Sequence, residues 1–291
     1  MAILKREGST NQGFQSFILN KDINTYFIYS AGPLIKKFSL KNASGSTFLE
    51  ISGKTLEKMV IHLPKPTEQK QIGIFFQNLD NLITLHQKRY DKLVVLKKAM
   101  LVKMFPKKGA LVPEIRFKGF SGDWEKDSLG NIYNFQYGIF NINPSNGGDF
   151  PVYGANGIIG GYTEYNAENS IIIGHMGEYA GIVLWDKGKH FVTYNGIITK
   201  PKNEIILIKF GYFMLYKLNL RKICGGSGQP FLSYSTLNNI SSMFPKSIEE
   251  QQKIGTYFES LDNQIELHKI QIEKLNNIKK ACFSKMFVAQ D

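Results

Sequence analysis

Few side chains in this sequence stand in a pattern that could carry out catalysis. Glu68, Gln69 and Lys70 match the Glu-x-Lys half of a nuclease site, but they open a predicted helix and lack the partner aspartate. The sequence contains no Asn-Pro-Pro-Tyr or Asp-Pro-Pro-Tyr methyltransferase motif, no matching glycine-rich S-adenosylmethionine loop and no phosphate loop of an ATP motor. We therefore predict that this chain is not an enzyme by itself.

Histidine and cysteine could bind a metal, but their positions favour structural roles. His86 and His268 occupy apolar seam positions of predicted helices, and no cysteine or acidic cluster completes a metal site around them. Cys224 and Cys282 are the only cysteines, which indicates free thiols in a reducing cytoplasm. No apolar stretch reaches the ~18 residues of a membrane helix, and no secretory signal is recognisable. We expect a cytoplasmic protein with no metal and no cofactor of its own.

The length and charge of the chain suggest two domains and a polyanionic partner. The 291 residues carry 36 Lys and Arg against 24 Asp and Glu, a formal charge of +12. Such an excess suits nucleic acid, although basic proteins without such a partner are common. Most of the excess lies in the first half of the chain, and no segment forms a polybasic arm.

An internal repeat organises the sequence. Residues 68–105 return as residues 250–287 without a gap, with 19 identities in 38 positions. Both copies show heptad-like apolar spacing, which predicts two long helices that pair antiparallel as a coiled-coil spacer, each about 57 Å long at ~1.5 Å per residue. Ser247 with Glu250 predicts a capping box at the start of the second helix. The predicted seam residues are Ile72, Phe76, Leu79, Ile83 and His86 in the first copy, and Ile254, Phe258, Leu261, Ile265 and His268 in the second.

The segments before each helix are a weaker repeat of unequal length. Residues 107–245 read as short strands with glycine turns and one helix near 209–219, which predicts a mixed α/β, β-rich domain. Residues 48–64 resemble 231–245 if a gap of two residues is allowed, with Phe48 opposite Phe231. The chain then divides into a 1–64 remnant, a 65–106 helix, a complete 107–245 module and a 246–291 helix. We expect the remnant to borrow contacts or to fray, because 64 residues bury too little core.

These segments resemble the specificity subunit of a type I restriction–modification system. The resemblance rests on 112-VPEIRFKGFSGDWEKDSLGNI-132, 153-YGANGIIGGYT-163, 225-GGSGQPFLSYSTLNNI-240 and the repeated helix 250-EQQKIGTYFESLDNQIELH-268, and it covers essentially the whole chain. In that family, two target-recognition domains each read half of a split DNA site, and paired helices set the gap. Here the first recognition domain looks truncated, which puts bipartite reading by one chain in doubt.

The resemblance also implies partners. Methyltransferase subunits would dock on the chain and a restriction subunit would join through them, so S-adenosylmethionine, ATP and Mg²⁺ belong to the partner subunits. A truncated first domain would be replaced by dimerisation of this chain or completed by a second polypeptide. The alternative function is a defective scaffold or recombination cassette, whose helices pair but whose single module binds DNA weakly.

Base reading requires side chains with hydrogen-bonding groups on loops or strands that reach the major groove. The predicted DNA contacts are Tyr153, Asn156, Tyr162, His175, Tyr179, Lys187, Lys189, His190, Asn195, Arg221, Lys222, Ser227 and Gln229. For His175 and His190, DNA contact, surface placement and core placement all stay open. The tyrosines are more often packed strand residues than base readers, and the 225–230 loop is either a phosphate-binding loop or a flexible turn.

Overall fold

The computed structural model describes residues 1–11, 13–45, 49–141, 144–226 and 228–287. Contacts divide the chain into two compact units, which we call unit 1 (residues 1–92 and 265–291) and unit 2 (residues 93–264). The two predicted long helices are present as Pro66–Lys103 and Ile248–Met286, and each contributes to both units. None of the helices in the described ranges is long and apolar enough to cross a membrane.

Numbered along the chain, the helices are α1 to α8 and the strands are β1 to β8. The helices are α1 Thr25–Ser30, α2 Gly32–Asn42, α3 Gly53–Leu56, α4 Pro66–Lys103, α5 Leu129–Ile132, α6 Ile208–Leu218, α7 Tyr234–Asn239 and α8 Ile248–Met286. The strands are β1 Glu125–Ser128, β2 Tyr133–Tyr137, β3 Phe150–Gly154, β4 Gly157–Tyr162, β5 Ala167–Gly174, β6 Val183–Val192, β7 Gly196–Pro201 and β8 Ser241–Phe244. A 3₁₀ turn occupies Leu220–Ile223.

Unit 2 is built on a six-stranded sheet of order β2-β7-β5-β6-β3-β4, in which only β3 and β6 run parallel. A second sheet pairs β1 with β8. The middle of β5 is a continuous apolar run because both of its faces are covered: Ile171 and Ile173 join the core that includes α6, whereas Ile172 packs on the opposite face. The predicted β-rich α/β module and its helix are confirmed. The apolar run 204–208, which reads as one of the short strands of the module, is not a strand, since it leads into α6.

Unit 1 combines the short helices α1, α2 and α3 with parts of α4 and α8. Its core is formed around Phe27, Ile35, Phe76 and Phe287. The N-terminal segment therefore packs on the end of the second long helix, in line with the expectation that it borrows contacts. Among the described residues of unit 1, the only β pairing is a bridge between Ser44 and Glu50.

A buried glutamine marks the same junction in both units. Gln69 accepts a hydrogen bond from the backbone N–H of Asn24 just before α1 (3.1 Å), and Gln251 accepts one from Leu207 just before α6 (2.8 Å). Each glutamine also donates 2.9 Å hydrogen bonds to the carbonyl of the proline before its long helix. The glutamine of the repeated Glu-Gln motif is therefore a structural brace, because a buried backbone amide needs a partner.

A helical glycine permits this close packing in both units. A β-carbon at Gly73 would stand 3.2 Å from the backbone nitrogen of Phe27, and one at Gly255 would stand 3.2 Å from that of Phe210. Phe27 and Phe210 are thus equivalent positions, offset by 183 residues. The Gly in the repeated Ile-Gly pair is explained by this approach and not by helix propensity, which disfavours glycine.

An aromatic triad follows the same repeat. In unit 2, the Phe105 ring lies 5.6 Å from that of Phe210 and 6.0 Å from that of Phe258. In unit 1, the Phe287 ring lies 5.0 Å from that of Phe27 and 5.7 Å from that of Phe76. Phe76 and Phe258 were predicted as seam residues of the helix pair, but the structure packs them into the cores of the two units.

The long helices pair antiparallel within each unit. In unit 1, the Nδ1 atoms of His86 and His268 are 2.9 Å apart, and Lys279 forms a 2.5 Å ion pair with Asp80. In unit 2, Lys97 forms the corresponding 2.5 Å ion pair with Asp262. The two ion pairs join the same two positions of the repeat, but the lysine belongs to the second copy in unit 1 and to the first copy in unit 2. The predicted antiparallel arrangement is confirmed. Of the predicted capping box, the serine half is formed, since Ser247 accepts a hydrogen bond from the Glu250 N–H, whereas the Glu250 carboxylate accepts from Arg116.

The weaker repeat is more regular than its sequence suggests. The bridge between Ser44 and Glu50 has its equivalent in the bridge between Gly225 and Phe231, at a constant offset of 181. The gapped alignment that set Phe48 against Phe231 is therefore wrong, although Phe48 itself lies outside the described residues. The caps of α3 and α7 follow the same offset, since Ser52 accepts a hydrogen bond from the Thr55 N–H and Ser233 accepts one from the Thr236 N–H.

Candidate nucleic-acid interface

Three loops of unit 2 converge at one end of the large sheet, where they are tied by backbone hydrogen bonds. The N–H of His175 donates to Asn195 O (2.8 Å), and the N–H of Leu232 donates to His175 O (2.9 Å). The N–H of Gly177 donates to Pro230 O (2.8 Å). The loop segments 175–181, 193–195, 219–226 and 228–232 therefore form one surface, which we call the loop cluster.

A fourth segment joins the loop cluster through the sheet. The N–H of Thr193 donates to Tyr153 O (3.0 Å), which places the β3–β4 turn beside the 193–195 loop. Arg221 ties the cluster further, because its Nη2 donates to Glu178 O (2.9 Å). Six predicted contact residues are exposed on these segments: Asn156, Tyr179, Asn195, Arg221, Lys222 and Gln229.

A group of aromatic rings around the buried His175 supports the loop cluster. The ring of Tyr137 lies 4.3 Å from that of His175 and stacks at 3.8 Å on that of Tyr234. His175 is buried and its Nδ1 hydrogen-bonds with Leu232 O at 2.9 Å, so it is placed to brace the loops. The half-exposed ring of Tyr194 lies 5.5 Å from His175. Tyr137 and Tyr234 were missed by the sequence analysis, since nothing in their spacing shows that they stack.

Other predicted contact residues are placed elsewhere in unit 2. His190 is fully buried, with Nε2 2.8 Å from Ser170 Oγ and Nδ1 2.9 Å from Gly188 O, so the core placement is the one observed. Burial lowers the pKa of His190, which keeps it neutral. Tyr153 is buried and donates to Asp186 at 2.8 Å; burial and this carboxylate raise its pKa. Neither side chain is exposed enough to contact a groove of DNA.

Tyr162, Lys187 and Lys189 lie outside the loop cluster. Tyr162 is half-buried against Phe191. Lys187 forms an ion pair with Glu259 of α8, and the ammonium of Lys189 lies 4.5 Å from the ring centre of Tyr165. Ser227 lies outside the described residues.

The chemistry available at the loop cluster is recognition. Amides, a guanidinium and a phenol are exposed there on loops tied by backbone hydrogen bonds. Within the described part of the chain, no group of three or more His, Cys, Asp or Glu side chains is placed to hold a metal ion. The Glu68-Gln69-Lys70 motif is explained without catalysis, since Gln69 is the brace at the start of α1.

Comparison with known proteins finds one family whose description matches most of this chain and several similar proteins. The sequence profile described as type I restriction modification DNA specificity domain matches residues 1–94 and 121–277. The MjaVIII type I specificity subunit of Methanocaldococcus jannaschii is 24% identical over 302 residues, which cover 90% of this chain and 69% of that protein. A putative type I specificity subunit of Mycoplasma genitalium is 26% identical and spans 72% of this chain and 55% of its own length.

The fold also resembles a solved structure. The crystal structure of a type I restriction–modification S subunit from M. genitalium superposes with a TM-score of 0.76 at 22% identity, over 93% of this chain and 74% of that chain. At this identity the likeness establishes a shared fold, and the residues that contact a ligand have to be argued from this structure.

Proposed function

Since this chain belongs to the family of type I restriction–modification DNA specificity proteins, we propose that unit 2 reads a DNA sequence and directs a methyltransferase–endonuclease complex to it. The observation that carries the proposal is the loop cluster, where six exposed hydrogen-bonding side chains stand on loops tied by backbone bonds. Rigid loops hold such groups at low entropic cost, which favours discrimination between bases.

Each exposed side chain suits a particular role. Arg221 has the guanidinium that pairs bidentately with guanine, and it lies beside Lys222, whose ammonium suits a phosphate. The amides of Asn156, Asn195 and Gln229 match the donor and acceptor pair of adenine. His175 acts as a positioning residue beneath them, because it is buried and bonded to Leu232.

The proposal extends to the partners. The chain contributes no catalysis; S-adenosylmethionine, ATP and Mg²⁺ act in the methyltransferase and restriction subunits. The paired helices serve as the spacer of the family. A bipartite site is restored when two copies of this chain assemble with the modification subunits, which requires a palindromic target. Light scattering of the complex should then give two copies of the chain, and mapped methylation should be symmetric; one copy, or an asymmetric motif, would contradict the dimer.

The test of DNA reading compares two substitutions that each remove one positive charge. The target is first found by mapping methylation in cells that carry the chain and its modification subunit, and binding is then measured by fluorescence anisotropy. Arg221→Ala should weaken binding to that target by about 1–3 kcal/mol. Lys246→Ala is the control, since Lys246 pairs with Glu125 in the small sheet and should have little effect.

The same assay measures the phosphate contribution. Residues 107–245 carry 13 basic and 10 acidic side chains, a net charge of only +3, so few phosphates should be neutralised. We expect a slope of log K against log salt between about −3 and −6. Equal losses in both variants, or binding that ignores salt, would refute the proposed interface.

A further inference from the structure

Two exposed isoleucines follow the turn between β3 and β4, in the segment 154–159 that we call the hairpin tip. Ile158 is 63% exposed and Ile159 is 52% exposed, although successive residues of a strand normally face opposite sides of the sheet. A β-bulge interrupts that alternation here, since the pairing of β3 with β4 shifts between Val152 and Tyr153. The extra residue of β4 is Ile159, because Ile158 pairs with Tyr153 and the next pair involves Gly160.

The two isoleucines have different surroundings. A β-carbon at Gly154 would stand 3.4 Å from Cγ2 and 3.5 Å from Cδ1 of Ile159, so the Ile159 side chain lies over the turn. Ile158 follows Gly157, which has no side chain to cover it, and most of its surface is free. Ile158 is therefore the apolar group that the hairpin tip presents to solvent, close in sequence to the exposed amide of Asn156.

The hairpin tip packs against the backbone of the loop cluster. A β-carbon at Gly174 would stand 2.9 Å from the carbonyl oxygen of Ala155, an approach that a side chain at this position would obstruct. The next residue, His175, joins two other segments of the loop cluster through its backbone N–H and carbonyl. Ile158 thus stands beside loops that hold hydrogen-bonding side chains in place.

An amide beside an exposed apolar side chain matches the major-groove edge of an A·T pair. That edge presents N7 and N6 of adenine, which an asparagine amide can pair with, and the 5-methyl group of thymine, which is recognised by apolar contact. A two-stranded β-ribbon fits the major groove. Residues 153–162 carry no charged side chain, so this ribbon suits base edges better than phosphates.

The spacing also fits a short stretch of bases. Asn156 and Ile158 are two residues apart, which is ~6.6 Å along an extended strand. Bases of one strand are ~3.4 Å apart along the duplex, so the two side chains reach about two base-pair steps. One hairpin can therefore place an amide and an apolar group on neighbouring bases.

We propose that Ile158 contacts the 5-methyl group of a thymine and thereby makes the hairpin tip specific for an A·T pair. The inference rests on the proposed reading of DNA by unit 2 and deepens it, because it names the base group that one side chain recognises. Asn156 binds an adenine within about two base pairs of that thymine. Ile159 packs over Gly154 and supports the shape of the turn.

The experiment removes the same methyl group from the DNA. Each thymine of the mapped target is replaced in turn by deoxyuridine, which differs from thymidine only in lacking the 5-methyl group. Binding of the full-length chain is measured by fluorescence anisotropy. We expect one position at which deoxyuridine weakens binding about fourfold, the equivalent of one buried methyl group.

Variants of the chain then assign this methyl effect to one side chain. Ile158→Ala should weaken binding to the thymine duplex about fourfold and should bind the thymine and deoxyuridine duplexes equally. Ile158→Val keeps branched methyl groups and should retain most of the difference. Ile205→Ala is the matched control, because Ile205 is 43% exposed, precedes α6 and lies outside the loop cluster, so the full fourfold difference should remain.

Three results would overturn the inference: binding that no deoxyuridine changes, a fourfold difference that persists in Ile158→Ala, or a loss in Ile158→Ala that appears only when the methyltransferase subunit is present. The last result would assign the hairpin tip to a protein contact. In all three cases Arg221→Ala still weakens binding if unit 2 reads DNA, so the two proposals fail separately. A chain that binds no duplex would refute both.

Discussion

Unit 1 and unit 2 share a helical framework and differ in what covers it. A buried glutamine holds the start of α1 in unit 1 (Gln69) and of α6 in unit 2 (Gln251), and both units stack a phenylalanine from the end of the other long helix on their core. In unit 2 the strands β1 to β8 enclose that framework, whereas unit 1 leaves a cavity beside it. The comparison distinguishes the shared framework, which holds the long helices, from the strands and loops of unit 2, which carry the proposed ligand-reading surface.

The difference indicates that the framework does not depend on the strands. The aromatic triad and the glutamine brace of unit 1 are formed although no strand is present in its described residues. Recognition loops can therefore diverge in sequence without loss of the helix pairing, because the residues that hold the helices lie outside those loops.

Truncation of the aromatic triads is the change with the largest expected effect. Phe258→Ala and Phe76→Ala should each destabilise their unit by about 3–5 kcal/mol, since both rings are fully buried. Hydrogen exchange of α6 and of α1 reports the two units separately. Phe75→Ala is the matched control, because its ring is partly exposed and should matter less. A loss near zero for Phe76 alone would break the equivalence of the two units.

Removal of the charge of the repeated glutamate should cost the two units different amounts of stability. Glu250→Gln leaves Arg116 without its buried carboxylate and should cost about 2–4 kcal/mol. Glu68→Gln changes only an exposed residue in the first turn of α4 and should cost less than about 1 kcal/mol. Denaturant unfolding of the two variants measures the contrast. Similar costs would mean that Glu68 already has a buried partner in solution.

The histidine contact should make a small, pH-dependent contribution confined to unit 1. Burial first, and then the electrostatic effect of the neighbouring His86 and Arg89, lower the pKa of His268 below its ordinary value. The unfolded chain therefore binds this proton more readily than the folded chain. The stabilisation that depends on neutral His268 is complete above pH ~6.5, the ordinary pKa of histidine, and is lost as the pH falls towards the lower pKa of His268 in the folded state. Thermal unfolding at pH 7.5 and 5.5 should show a small acid loss that His268→Gln reduces. An unchanged pH dependence in that variant would contradict this assignment.

The helices and their partners were predictable because their signal is local and repeated. The 38-residue repeat gave both helices, and its seam gave the contact between His86 and His268. The roles of the Glu-Gln motif were not predictable, since Gln69 and Gln251 bind backbone groups about 45 residues away. The register of the weaker repeat was predicted wrongly although a short side-chain pattern marks it: Ser52 with Thr55 and Ser233 with Thr236 form equivalent caps of α3 and α7.

The loop cluster was predictable only in part. Asn156, Asn195, Arg221 and Gln229 lie on loops that the glycine and asparagine content had indicated, and they are exposed. His190 and Tyr153 were candidates of the same kind, yet they are buried in the sheet. A polar side chain in a strand faces solvent or core according to which strands pair beside it, and that pairing is set by contacts distant in the chain.

The sequence by itself determined the duplicated helices, the β-rich module between them and the lack of catalytic motifs, because periodicity and repetition are written along the chain. Only the tertiary structure decided that Glu250 is buried on Arg116 while Glu68 faces a cavity. The two glutamates stand in nearly the same sequence context. Their environments differ because the segment carrying Arg116 and Trp124 folds back onto α8 in unit 2, and burial depends on such distant neighbours rather than on adjacent residues.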